Sequence, residues 1–174
     1  AGRQTMVFAL RDEENLYLAF RCEEPNPAGM TVRPTNTVHY EQLVACGEDL
    51  VEVLLDPGSA GGAPGELYHL VVKPNGVLIS ERGVSCRPAL GGCVPWASSA
   101  SVAVGKTAGA WTVELAIPLS SLGPKSSLPF WRANFMRFSP QGQESSSWVG
   151  CTRCFYDPRN LGTMFVGENV NSGR

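Results

Sequence analysis

A chain of 174 residues has room for one hydrophobic core of ordinary size and seldom for two. With 14 Lys+Arg against 16 Asp+Glu the net charge is −2, and no basic run of five or more exists, so the electrostatic footprint of a nucleic-acid binder is excluded. No apolar stretch is long enough to read as a membrane-spanning helix.

Residues 5–10 form a short apolar strand, and Leu16 to Phe20 a second, joined by the acidic turn 11–15 as a hairpin. Residues 23–49 are a long irregular connection in which Pro25, Pro27 and Pro34 bar regular structure; only 37–45 has room for a helical turn. The central strand is Glu48 to Asp56. Val51, Val53 and Leu55 point one way, Glu52, Leu54 and Asp56 the other, and Asp56-Pro57-Gly58 ends it as a turn. Glu66 to Lys73 follows, with Tyr68, Leu70 and Val72 opposite His69, Val71 and Lys73. Pro74-Asn75-Gly76 then turns the chain into 77–80.

Residues 81–99 read as a second long loop. Ser101 to Gly105 and Ala110 to Pro118 make another hairpin whose Trp111, Val113, Leu115 and Ile117 face the core, followed by one helical turn over 118–123. Pro129 to Phe138 is a strand, 144–160 a third loop, and Leu161 to Val166 the last strand. Nine or ten short strands, 19 Gly, 13 Pro and little helix predict an all-β fold: an antiparallel β-sandwich spanning 1–174 as a single domain.

The six Cys, an even count in a turn-rich chain, point to an oxidising compartment, although a cytosolic metal site would use the same residues. Cys86 and Cys93 enclose a short loop that can close as a local disulfide. Cys151 and Cys154 form a CxxC without the following His of a haem attachment site. No signal peptide is visible, and Ala1 reads as a mature or trimmed start. Asp12, Glu13 and Asp157 are turn acids and candidate calcium ligands; the alternative is turn-forming acids in water. His39 and His69 have no nucleophile at a recognisable spacing, so an enzyme is not expected.

Five segments in this order resemble the family 9 carbohydrate-binding modules and their looser family 9-like relatives: 12–20, 48–56, 111–118, 131–138 and 155–162. The resemblance implies a β-sandwich of the DOMON-related type, immunoglobulin-like or jelly-roll-like in layout. It further implies sugar binding between two aromatic rings over a polar sheet floor, structural calcium and no catalysis. It places Glu52 and Asn134 on the floor and Phe155 at one ring position. The other ring falls at Cys46 and a sugar-binding Arg near Val71. A bond from Cys46 to Cys151 or Cys154 would then staple the slot, leaving Cys22 as the candidate for the remaining partner.

Glu52, His69, Val71, Lys73, Glu114, Arg132, Asn134 and Met136 share the phase opposite the core and are expected to pave one sheet face. Carboxylates, amides and guanidinium there suit sugar hydroxyls; an ordinary solvated face with ion pairs is the alternative. Trp111 and Trp131 read as core, whereas the loop residues Trp96 and Trp148 are candidates for stacking on a sugar.

Three functions follow. The first is a non-catalytic, secreted or cell-surface glycan-binding module. The second is a structural or assembly module with no small ligand. The third is a haem-binding sandwich that would use Met136 and His69. The family's opening strand has no counterpart before Thr5, so the edge of 5–10 is expected to be filled by a segment of a parent chain, a second copy or a partner. The alternatives are that the tail 168–174 folds across it or that a short edge is left in water.

Overall fold

The computed structural model of the chain describes residues 3–32, 47–57, 66–84, 92–150, 155 and 157–167. Eleven strands lie among them: β1 (Thr5–Arg11), β2 (Asn15–Glu23), β3 (Leu50–Asp56), β4 (Leu67–Val72), β5 (Leu78–Gly83), β6 (Cys93–Pro95), β7 (Ser101–Thr107), β8 (Ala110–Pro118), β9 (Phe130–Ser139), β10 (Glu144–Ser147) and β11 (Gly162–Phe165). They form two antiparallel sheets. The smaller runs β1-β2-β8-β7; the larger runs β10-β9-β3-β4-β5-β6, with β11 also paired to β9.

The hairpins form where the turn chemistry allows. Asp12 Oδ1 accepts hydrogen bonds from the backbone N–H of Glu14 and Asn15, which closes the β1–β2 turn. Gly76 (φ +83°) and Gly109 (φ +85°) take left-handed conformations in the β4–β5 and β7–β8 turns, where a side chain would be strained.

Period-two alternation puts Leu16, Leu18 and Phe20 of β2 and Trp111, Val113, Leu115 and Ile117 of β8 against Val51, Val53, Leu55, Leu70, Trp131 and Phe135 of the larger sheet. Both core Trp are fully buried, as expected. The sheets are also joined by charge at one end. Glu24, just past β2 and fully buried, lies 3.2 Å from Arg137 of β9 and 3.1 Å from Arg3, while Arg137 also donates to the Glu23 carbonyl.

The two outer faces differ. That of the smaller sheet is open, with Phe8 and Leu10 exposed. That of the larger sheet is covered: every residue of β3 and β4 is buried. Leu50, Val71 and Ile79 form one apolar cluster there, and Leu54, Leu67, Phe155 and Leu161 another.

Four expectations are corrected. β6 and β10 lie inside segments read as loops, because short Ser- and Pro-containing stretches become strands only by adding to an existing edge. Glu114 belongs to β8 in the smaller sheet, not to the face that carries Glu52. Cys22 is a free thiol buried against the core, not a disulfide partner, and burial pushes its pKa up to about 11. The helical turn over 118–123 is a 3-10 turn, Leu119–Leu122. The candidate turn at 37–45 and the tail 168–174 lie outside the described residues.

Candidate functional site

The residues expected on the sugar-binding floor do share one face, but it is not an open floor. Glu52 and His69 are both fully buried, with Glu52 Oε2 3.0 Å from His69 Nε2. His69 Nδ1 faces Glu81 Oε2 at 3.7 Å. Lys73 pairs with Glu48, both without exposure. A carboxylate placed in mid-strand for sugar hydroxyls would need solvent in front of it; Glu52 has a histidine there instead. With each ring nitrogen of His69 facing a carboxylate, neither is presented to an iron, so the Met136–His69 pair is not a haem ligand set.

Asn134 is equally committed. β10 pairs with residues 136–139 of β9 and β11 with 130–133, so Asn134 sits in the gap between them. Its amide donates to the carbonyls of Val149 (3.1 Å) and Asn160 (3.0 Å), and its oxygen accepts from the N–H of Phe135 and Val149. Four partners use the whole hydrogen-bonding capacity of the side chain. Arg132 donates to the Leu161 carbonyl, pinning the same loop. Phe155 is only 7% exposed, in the apolar cluster with Leu54, Leu67 and Leu161. Trp96 meets Tyr68 with its ring tilted, centroids 4.8 Å apart, and packs against the core, so it anchors a loop.

Trp148 differs from all of these. It follows β10 and is 53% exposed, yet it is held in place. Its backbone N–H donates to the Phe135 carbonyl, and its ring lies 5.7 Å from that of Phe135. On the other side Gly162 approaches so closely that a Cβ there would come within 3.0 Å of the indole. The ring stands at the mouth of a cleft of about 510 Å³ between the edge of β1 and the edge of the larger sheet. Val7, Phe20, Phe135 and Met164 line its depth, and Arg3, Gln4, Ser146 and Ser147 its rim. An exposed aromatic fixed by its neighbours, beside hydroxyl and amide groups, suits a ligand with one apolar face and several hydroxyls.

Of the turn acids, Asp12 and Asp157 are used structurally. Asp12 Oδ2 accepts from the Tyr17 hydroxyl while Oδ1 takes two backbone N–H groups, and these donors hold its pKa below the usual carboxylate value. Asp157 caps the 3-10 turn Pro158–Asn160 and chelates Arg159. The oxygens of Asp12 and Asp157 that the sequence offers to calcium thus face donors within the chain. Among the described residues no cluster of three His, Cys, Asp or Glu could hold a metal ion. Cys93 is disulfide-bonded. Cys46, Cys86, Cys151 and Cys154 lie outside the described residues, and so do the pairings expected of them.

A two-sheet antiparallel arrangement with its core between the sheets and one exposed, fixed indole at their edge is a β-sandwich. Within that class the chain has the fold of a family 9 carbohydrate-binding module. It is similar to such a module from Caldicellulosiruptor kristjanssonii in complex with glucose: TM-score 0.68 and 12% identity, over 98% of this chain and 80% of that one. It is likewise similar to one from the same organism in complex with cellotriose, with TM-score 0.65 and 13% identity over 98% and 78% of the two chains. No family model and no curated sequence matches.

Proposed function

We propose that the chain is a non-catalytic carbohydrate-binding module that takes its glycan at Trp148. The observation that carries this reading is the exposed indole, held between Phe135 and Gly162 at the mouth of the cleft. The binding of glucose and cellotriose by modules of the same fold supports the ligand class. A sugar ring stacks its C–H face on the indole and turns its hydroxyls to Ser146, Gln4 and the rest of the rim. The disulfide at Cys93 supports a secreted or cell-surface setting.

Titration calorimetry with glucose, cellotriose and a panel of soluble glycans tests it. Binding by the wild type that is abolished in Trp148→Ala, with the fold retained, is the expected result. Trp148→Ala binding as the wild type does would refute the site, and a wild type that binds no glycan would refute the function.

A second reading, an assembly module with no small ligand, draws on one observation: Glu52 and Asn134 are consumed by internal partners. Under it no glycan binds.

A further inference from the structure

β1 separates two depressions, and Ala9 lines both. One is the cleft at Trp148; the other is a trough of about 590 Å³ on the outer face of the smaller sheet. Register makes the trough. Two rows of outward side chains cross β1, β2, β8 and β7 in that order: Leu10-Tyr17-Ala116-Ser101 and Phe8-Ala19-Glu114-Ala103. The three large apolar or aromatic members stand on β1 and β2, while three of the other five are alanines, so the face falls away towards β7.

The walls and the floor of the trough differ in chemistry. Phe8 and Leu10 are 57% and 69% exposed. Tyr17 is half-buried and fixed: its hydroxyl donates to Asp12 Oδ2 at 2.9 Å and accepts from Asn15 Nδ2 at 3.2 Å. Its ring is thus a second aromatic surface held ready by its neighbours, as Trp148 is. Glu114 stands exposed on the floor between Ala19 and Ala103, neither of which can pair with a carboxylate. It makes no hydrogen bond or ion pair among the described residues. The Ser101 hydroxyl is exposed at the far side.

We infer that the glycan held at Trp148 continues over β1 at Ala9 into this trough, so that the module takes an extended stretch of a polysaccharide and not a single terminal sugar. This rests on the glycan reading of Trp148. Ala9 is exposed and carries only a methyl group, so the ridge between the two depressions is low where they meet. From β1 to β7 the trough crosses three strand spacings, roughly 14 Å, which is more than one sugar ring covers. Sugar rings set their C–H faces against Phe8 and Tyr17 and turn hydroxyls to Glu114 and Ser101. An apolar protein surface laid here would bury the Glu114 carboxylate without a donor, at a cost that a hydroxyl-bearing ligand does not incur.

Titration calorimetry with glucose, cellotriose and cellohexaose tests the inference. The wild type is expected to bind cellohexaose about ten-fold or more tighter than glucose, the gain that added aromatic and hydrogen-bonding contacts supply. Phe8→Ala and Glu114→Ala change exposed side chains that do not line the Trp148 cleft. Each should lose most of the gain with length, keep the glucose affinity of the wild type and unfold at the wild-type temperature. Trp148→Ala should abolish binding of all three sugars. A wild type that binds glucose and cellohexaose equally, in a manner that Trp148→Ala abolishes, overturns the inference while the glycan reading stands. A gain with length that persists in both Phe8→Ala and Glu114→Ala overturns it too, and leaves the face to a protein partner that brings a cation to Glu114. A wild type that binds none of the three sugars fails the reading at Trp148, and the inference falls with it.

Discussion

Glu52 and His69, on neighbouring strands β3 and β4, face each other across 3.0 Å with no solvent exposure on either side chain. Burial holds the Glu52 carboxyl above its ordinary pKa, although its contact with His69 works the other way. Burial alone would depress the His69 imidazole, but the hydrogen bond to Glu52 and the nearby charges of Glu52 and Glu81 outweigh it, and its pKa lies above 6.5.

A histidine with a raised folded-state pKa adds stability that is full below its unfolded value, near 6.5, and is lost as pH rises through the folded value. The upward shift at Glu52 has the same sign, since the folded protein holds its proton more tightly than the unfolded chain. Urea midpoints should therefore fall as pH climbs from slightly acid into the alkaline range, and His69→Phe should flatten that slope. A slope unchanged in His69→Phe would mean that other groups set it.

Truncating Glu52 should cost stability before anything else. Glu52→Ala leaves His69 buried without its closest counter-charge, a loss of roughly 3–5 kcal/mol. Glu52→Gln, which keeps an oxygen at the same place, should lose less. Denaturant unfolding measures both. The sequence-based expectation that Glu52 is a sugar contact is replaced by this structural role.

Asn134→Ala should destabilise the molecule by about 3 kcal/mol or more, because it strands the Val149 and Asn160 carbonyls and two N–H groups around a covered gap. Limited proteolysis should then cut near residues 149–160 faster than in the wild type. An unchanged cleavage pattern would show that the loop is held by other contacts.

Two tryptophans should separate stability from binding. Trp111→Ala empties a fully buried core position and should cost roughly 3–5 kcal/mol. Trp148→Ala removes a ring that is half in solvent and should cost about 1 kcal/mol, lost mainly at Phe135. Thermal unfolding of the two variants, set beside their glycan binding, makes the comparison.

Glu24→Ala should be among the most damaging single changes at the sheet ends. It leaves Arg137, 3% exposed, without its carboxylate and frees Arg3, a loss of roughly 3–5 kcal/mol. Replacing Arg137 with Met in the same chain should recover part of the loss in a double-mutant cycle, since the stranded charge is then gone.

The sequence alone determined the strands that carry the core. Alternation in 16–20, 51–55, 68–72 and 111–117 is local, and each side chain's phase follows from the pleat, so the inner faces of both sheets were legible residue by residue. The turn at Asp12 and the core roles of Trp111 and Trp131 were legible for the same reason.

Only the tertiary structure decided what the other face does. A lone Glu in a strand has the same local pattern whether it meets water, a sugar or a buried histidine, and the answer depends on His69 and Glu81, which sheet pairing brings to it. Asn134 became a structural clamp because β10 and β11 stop on either side of it, a matter of register between distant segments. Trp96 and Trp148 are loop indoles alike in sequence. One found Tyr68 and the core, while the other was left standing at an open edge, because packing is settled by where the two sheets meet and not by the residues beside each ring.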